Sequence, residues 1–99
     1  MSAYLMLDIE VTNPELYAEY VARARAIIEN AGGRYLVRGG RVITLSGEWH
    51  PKRLVVIEFT SVEQAQRCLA SPEYRAIAPL REEGAISRAI IVEGCAPPQ

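Results

Sequence analysis

The sequence has little of what most metal and catalytic sites are built from. It holds one histidine, one phenylalanine, one tryptophan, two cysteines and two methionines among 99 residues. A metal or haem centre draws several His, Cys or carboxylate ligands together. The lone His50, in the turn Trp49-His50-Pro51, supplies no such set, so neither a metal nor a cofactor is expected. Cys68 and Cys95 are far apart and match no metal spacing. Cys68 falls on an apolar helix face and reads as a small buried hydrophobe, and Cys95 as a free thiol near the end. A glycine-framed serine elbow, a phosphate loop and a dinucleotide motif are all missing.

An excess of charge is missing too. Eleven basic and twelve acidic residues leave a net charge of -1. Bulk electrostatics therefore does not point to nucleic acid or to a membrane surface. No apolar run approaches the roughly 20 residues needed to span a bilayer. The start of the chain has no basic segment leading into an apolar signal core. The expected setting is cytoplasmic, with no nucleic acid and no membrane as partner. A hydrophobic content of 49% suits a folded domain. The length suits one domain, residues 1–94, with a flexible tail at 95–99. A core this small leaves a thin stability margin, which pairing with a second copy would widen.

What is present is strong periodicity. In residues 3–11, Leu5, Leu7, Ile9 and Val11 fall on one face and Tyr4, Met6, Asp8 and Glu10 on the other, a half-buried strand. Asn13, Pro14 and Glu15 make a helix start, and Gly32 and Gly33 a stop. Between them Leu16, Tyr17, Tyr20, Val21, Ala24, Ile27, Ile28 and Ala31 form one stripe at helical spacing. Residues 34–38 and 41–46 both read as strand. The intervening Gly39-Gly40 is a hairpin turn or, in the simpler topology, a bulge that bends one long strand. A further strand follows at 53–59. Ser61 and Gln64 open a second helix as a capping box. Ser71 and Pro72 restart it for a further turn or two, which Pro79 ends near Ile77. Residues 86–94 are the last strand.

The order strand, helix, strand, strand, helix, strand is the ferredoxin-like plan, an α+β fold. Two helices should cover one face of a four-stranded antiparallel sheet, with right-handed crossovers. The other face, half apolar, would be left for a second copy.

The stretches GGRYLVRGG (32–40), GEWHPKRLVVIEFTS (47–61), SPEYRAIAPLR (71–81) and IIVEG (90–94) resemble the family known as Domain of Unknown Function 1330. The similarity runs from residue 4 to 94. It implies a dimeric α/β barrel, in which two sheets of a homodimer face each other. Cofactor-free monooxygenases, muconolactone isomerase-like enzymes, haem-binding dye decolourisers and stress-response proteins share that superfamily. The family has no settled reaction, so the resemblance implies none. One local departure is Cys68-Leu69, where members often carry aromatics before Ser-Pro, which implies a different pocket wall.

Among polar residues, Asp8, Arg38 and Glu58 stand out on predicted strands. The first and third strands are neighbours in this plan, so the two carboxylates are expected to lie close, with Arg38 in reach. Buried together they would have to pair. They make an ionic network that sets dimer register, or a site in which Arg38 holds an anion while Asp8 or Glu58 moves a proton, or they do not meet at all. His50 is the other acid or base candidate. Tyr17 and Tyr20 lie on the core stripe with hydroxyls able to reach a cleft between helix and sheet. Tyr74 and Arg81 are read as a rim or lid, and Trp49 as an interface anchor. The expected function is a small-molecule-binding domain, or a cofactor-independent isomerase or monooxygenase-like enzyme, with a pocket between helices and sheet and a small organic acid or phenol as ligand. The alternative is a non-catalytic dimer with a structural or ligand-sensing role.

Overall fold

The computed structural model describes residues 1–96. The chain runs β1 (Ala3–Val11), α1 (Pro14–Asn30), β2 (Arg34–Arg38), β3 (Arg53–Phe59), α2 (Val62–Ala70), α3 (Pro72–Gly84) and β4 (Ala85–Glu93). Of the tail expected at 95–99, residues 97–99 lie outside the described residues. The alternation in β1 decides the layering. Ala3, Leu5, Leu7 and Ile9 are buried beneath the helices, while Tyr4, Met6 and Asp8 point to the other face and are half-buried. β1 pairs antiparallel with both β3 and β4, and β2 joins β3, so the sheet order is β2-β3-β1-β4. This is the expected α+β arrangement.

The helices form where their caps and stripes predict. Asn13 accepts the Leu16 N–H, Pro14 opens α1, and Tyr17, Tyr20, Ala24 and Ile28 are its buried residues. Ser61 caps α2 by accepting the Gln64 N–H at 3.0 Å. The Gln64 side chain does not return to Ser61, as a full capping box would. It accepts instead from the Thr60 N–H at 2.7 Å and the Thr60 hydroxyl at 2.8 Å. The core under the helices combines Leu5, Leu7, Ile9, Val55, Ile57 and Phe59 of the sheet with Ile28, Ala65, Cys68 and Ile77.

Two expectations are corrected. Residues 41–46 are not a strand, and Gly39-Gly40 neither turns a hairpin nor bends a long strand: β2 stops at Arg38, and 39–52 is an irregular loop. A strand needs an edge to pair with, and β3 begins at Arg53, so the edge it offers runs out there. Ile43 and Leu45 consequently stay 65% and 93% exposed. The irregularity in β2 falls between Tyr35 and Val37. The second correction concerns Pro79, which does not end its helix: α3 continues through it to Gly84. Pro79 is exposed, and its cost is one lost backbone bond with crowding of the carbonyl one turn earlier. Meanwhile Tyr74, Ile77 and Gly84 hold the helix down on both sides of it. Gly84 comes so close to α1 that a Cβ there would lie 2.9 Å from the Tyr17 backbone nitrogen. Its carbonyl accepts from the N–H groups of Thr12 and Asn13, tying the end of α3 to the start of α1.

Phe59 is 1% exposed at the centre of this core. Phe59→Ala should destabilise the domain by about 3–5 kcal/mol in urea unfolding. Ile43→Ala, on the exposed loop, should change stability by less than about 0.5 kcal/mol. Equal losses at the two positions would mean that the loop is packed as core.

Candidate functional site

Between α1 and the sheet lies a cleft of about 370 Å³, counting its open mouth. Its floor is apolar: Leu7, Ile9, Val55 and Ile57 from the sheet face Val21, Ala24 and Ile28 from α1. Its mouth is aromatic and basic, with Tyr17, Tyr20, Tyr35, Arg38 and Arg53. Side chains fill most of the space, leaving enclosed room for about one water molecule. The Arg38 guanidinium stacks 5.4 Å from the Tyr35 ring centroid, and that of Arg53 5.6 Å from Tyr17. Arg53 Nε also donates to the Tyr17 hydroxyl at 3.1 Å. Neither arginine is within 4 Å of a carboxylate among the described residues. Among the described residues no carboxylate, imidazole or thiol lines the cleft.

Behind the cleft the Tyr20 and Tyr74 hydroxyls share a buried hydrogen bond of 2.8 Å, their rings edge to face. Burial, with the neighbouring Tyr74 hydroxyl, pushes the Tyr20 phenol far above its ordinary range. Burial likewise pushes Tyr35 up to about 12, although the Arg38 charge pulls the other way. Both phenols are therefore neutral hydrogen-bonding groups at physiological pH and cannot serve there as ready bases. Burial also raises the Cys68 thiol, which makes it a poor nucleophile.

The opposite face of the sheet carries a shallower basin of about 690 Å³ with its open solvent, lined by Met6, Asp8, Glu48, Trp49, Leu54, Arg88 and Ile90. Asp8 is its polar centre. Its Oδ2 accepts the Trp49 indole N–H at 2.7 Å and an Arg88 N–H at 2.8 Å. The Trp49 bond, then the Arg88 bond and charge, hold the carboxyl below the ordinary aspartate value of 3.8, against partial desolvation. Lys52 to Glu10, at 3.0 Å, fastens the same loop to the same strand.

The predicted Asp8–Arg38–Glu58 cluster does not form. Asp8 pairs across the sheet with Leu54 and Arg88, whereas Glu58 pairs with Tyr4 and Arg34. The two carboxylates share a face but are not cross-strand neighbours. Glu58 bonds Arg34 at 2.8 Å. Arg38 lies opposite Val55, on the helix side, so the sheet separates it from both acids. His50 is exposed in the loop, 3.0 Å from the Thr44 hydroxyl, and does not line the cleft. Tyr20 does line it, as expected. Tyr74 is not a lid or rim: it is buried against Tyr20. Arg81 is half-buried, and its Nε has no partner among the described residues. Trp49 keeps 52% of its surface exposed while it grips Asp8. Arg53 and Tyr35 were missed as site residues. Tyr35 belongs to the same alternation as Arg34 and Arg38, but the shift in register near Leu36 hides which side each side chain takes.

The Trp49–Asp8 bond can be tested by titration. A depressed carboxyl pKa contributes stability that is complete above the ordinary value of 3.8 and is lost as pH falls through the folded value. In an NMR titration Asp8 should titrate below that value. Trp49→Phe, which removes the largest cause, should move it upward and reduce the stability difference between neutral and acid solution. An unchanged Asp8 titration in the variant would mean that the indole does not hold the carboxylate.

Similar folds occur among solved structures. A protein of unknown function from Rhodopseudomonas palustris is 21% identical, with a TM-score of 0.78 over 97% of this chain and 84% of its own. SnoaB, a cofactor-independent oxygenase from Streptomyces nogalater, is 17% identical with a TM-score of 0.69 over 97% and 95%. A protein of Nitrosomonas europaea described as an antibiotic biosynthesis monooxygenase is 16% identical with a TM-score of 0.57 over 97% and 100%. At these identities the likeness is one of fold. A sequence comparison with curated proteins finds no match. The family model described as "Domain of unknown function (DUF1330)" matches residues 2–95, nearly the full length, and the chain belongs to that family.

Proposed function

We propose that the cleft between α1 and the sheet binds a small organic acid or phenol, and that the domain acts on it without a cofactor. The observation that carries this reading is an apolar floor beneath two guanidinium groups, Arg38 and Arg53, with no carboxylate partner among the described residues. An anion with an apolar body matches that division of surface. Among the described residues the cleft has no side chain suited to proton abstraction, so the reading favours a ligand that ionises by itself and is stabilised by positive charge. The base roles foreseen for Asp8, Glu58 and His50 have no support from their positions. Because the enclosed room is small, entry requires Arg38 to leave the Tyr35 ring. The fold shared with the cofactor-independent oxygenase of Streptomyces nogalater is consistent with this class of chemistry.

The same reading includes a homodimer formed through the uncovered sheet face. Its support is a row of apolar residues, Val37, Val56, Met6 and Ile90, that crosses all four strands in register. Ile86 and Ile90 are 64% and 58% exposed there. Two such faces, packed together, would bury what one copy leaves in water.

Two measurements check these readings. Thermal shift with hydroxybenzoates and substituted phenols should give a concentration-dependent rise in melting temperature. Arg38→Ala should weaken the binding roughly ten- to a hundredfold, the worth of one charge-assisted hydrogen bond. No shift with any of these compounds, or full affinity in the variant, would sink the cleft assignment. Light scattering should return a dimer mass at micromolar concentration, and Ile90→Glu should return a monomer. A monomeric wild type would sink the dimer.

A further inference from the structure

Tyr17 differs from the other tyrosines around the cleft. A phenol has one proton to donate and lone pairs with which to accept. Tyr20 and Tyr74 share one buried hydrogen bond in which one hydroxyl donates and the other accepts, and neither bonds a cation. Arg38 lies over the ring of Tyr35, with no hydrogen bond to its oxygen among the described residues. Tyr17 alone accepts a hydrogen bond from a cation, Arg53 Nε, while its own proton has no acceptor within range among the described residues. Accepting from a guanidinium polarises the hydroxyl and strengthens its donation. Tyr17 lines the cleft.

We infer that Tyr17 and Arg53 form an oxyanion donor at the cleft mouth, selective for a planar molecule whose charge rests on a single oxygen, an enolate or a phenolate. This rests on the cleft reading above and sharpens its ligand class. A carboxylate is matched best by the two parallel N–H groups of a free arginine fork. Arg53 has committed Nε to Tyr17, which removes its side-on Nε–Nη fork, and the pair presents one hydroxyl proton backed by charge. Aromatic rings and the apolar floor on either side suit a flat body.

Gly39 is a positioning residue for this pair. Its φ is +75°, a conformation that suits glycine. Its N–H donates to the Leu54 carbonyl at 3.0 Å, which holds it beside β3. A Cβ at position 39 would lie 2.9 Å from Arg53 Cζ and closer still to Nη1. The bare glycine leaves the path by which Arg53 reaches Tyr17.

The experiment uses 4-nitrophenol, whose phenolate and phenol absorb differently. Its apparent pKa is measured free and bound to the full chain, in the wild type and in Tyr17→Phe, Arg53→Gln and Gly39→Ala. The wild type should favour bound phenolate over bound phenol at least about tenfold more than water does, one unit of pKa. Tyr17→Phe and Arg53→Gln should each remove most of that preference, and Gly39→Ala should reduce it. If 4-nitrophenol binds, Arg38→Ala weakens it, and Tyr17→Phe keeps the full preference, the oxyanion donor is wrong while the cleft reading stands. No binding by the wild type overturns both. Should circular dichroism show Tyr17→Phe unfolded, Arg53→Gln decides alone: an unchanged preference overturns the inference. An unchanged preference in Gly39→Ala overturns the role of Gly39.

Discussion

The pairing of β1 with strands on both sides is the constraint on which the rest depends. β1 is central, hydrogen-bonded to β3 over Ala3–Ile9 and to β4 over its full length. Its pleat sends Leu5, Leu7 and Ile9 under the helices and Met6 and Asp8 to the opposite face. A slip of one residue would exchange those two sets, placing a carboxylate in the core and three large apolar side chains in water. Burial of these residues, at about 1.5–3 kcal/mol each, locks the register. The same register sets the two candidate sites on opposite sides of one sheet.

The irregular loop 39–52 links those two sides. It leaves the sheet at Arg38 and returns at Arg53, the two arginines of the cleft mouth. Between them it crosses to the uncovered face, where Trp49 and Lys52 bind Asp8 and Glu10. The basic rim of the cleft is thus made by the last residue before the loop and the first after it. Such a rim combines a backbone anchored in strands with long side chains that reach over the mouth to Tyr35 and Tyr17.

Much of this could be read from the chain. The alternation of residues 3–11, the Asn13-Pro14 start and Gly32-Gly33 stop of α1, and the capping serines 61 and 71 each have local causes, and each is found where those causes act. Arg41–Ser46 has strand-like composition too, yet it forms no strand, because pairing depends on an available edge. Pro79 has a strong local preference against helix, yet burial of Ile77 and Gly84 on either side outweighs it. Of the candidate residues, Arg38 and Tyr20 do reach the cleft, and Asp8 and Trp49 meet each other across 41 positions. The cluster of Asp8, Arg38 and Glu58 fails because strand order alone does not state register.

The sequence by itself determined the order of elements, the apolar stripe of α1 and the two-faced character of β1, since these follow from side-chain periodicity and from caps a few residues long. Only the tertiary structure decided which face Arg38 takes, that Arg53 joins it, and that Tyr17 keeps an unspent proton beside a cation. Those outcomes depend on pairing between residues distant along the chain and on a shift in β2 near Leu36, which turns the side chains beyond it. Long-range register is a global property of the packed sheet, and no local preference carries it.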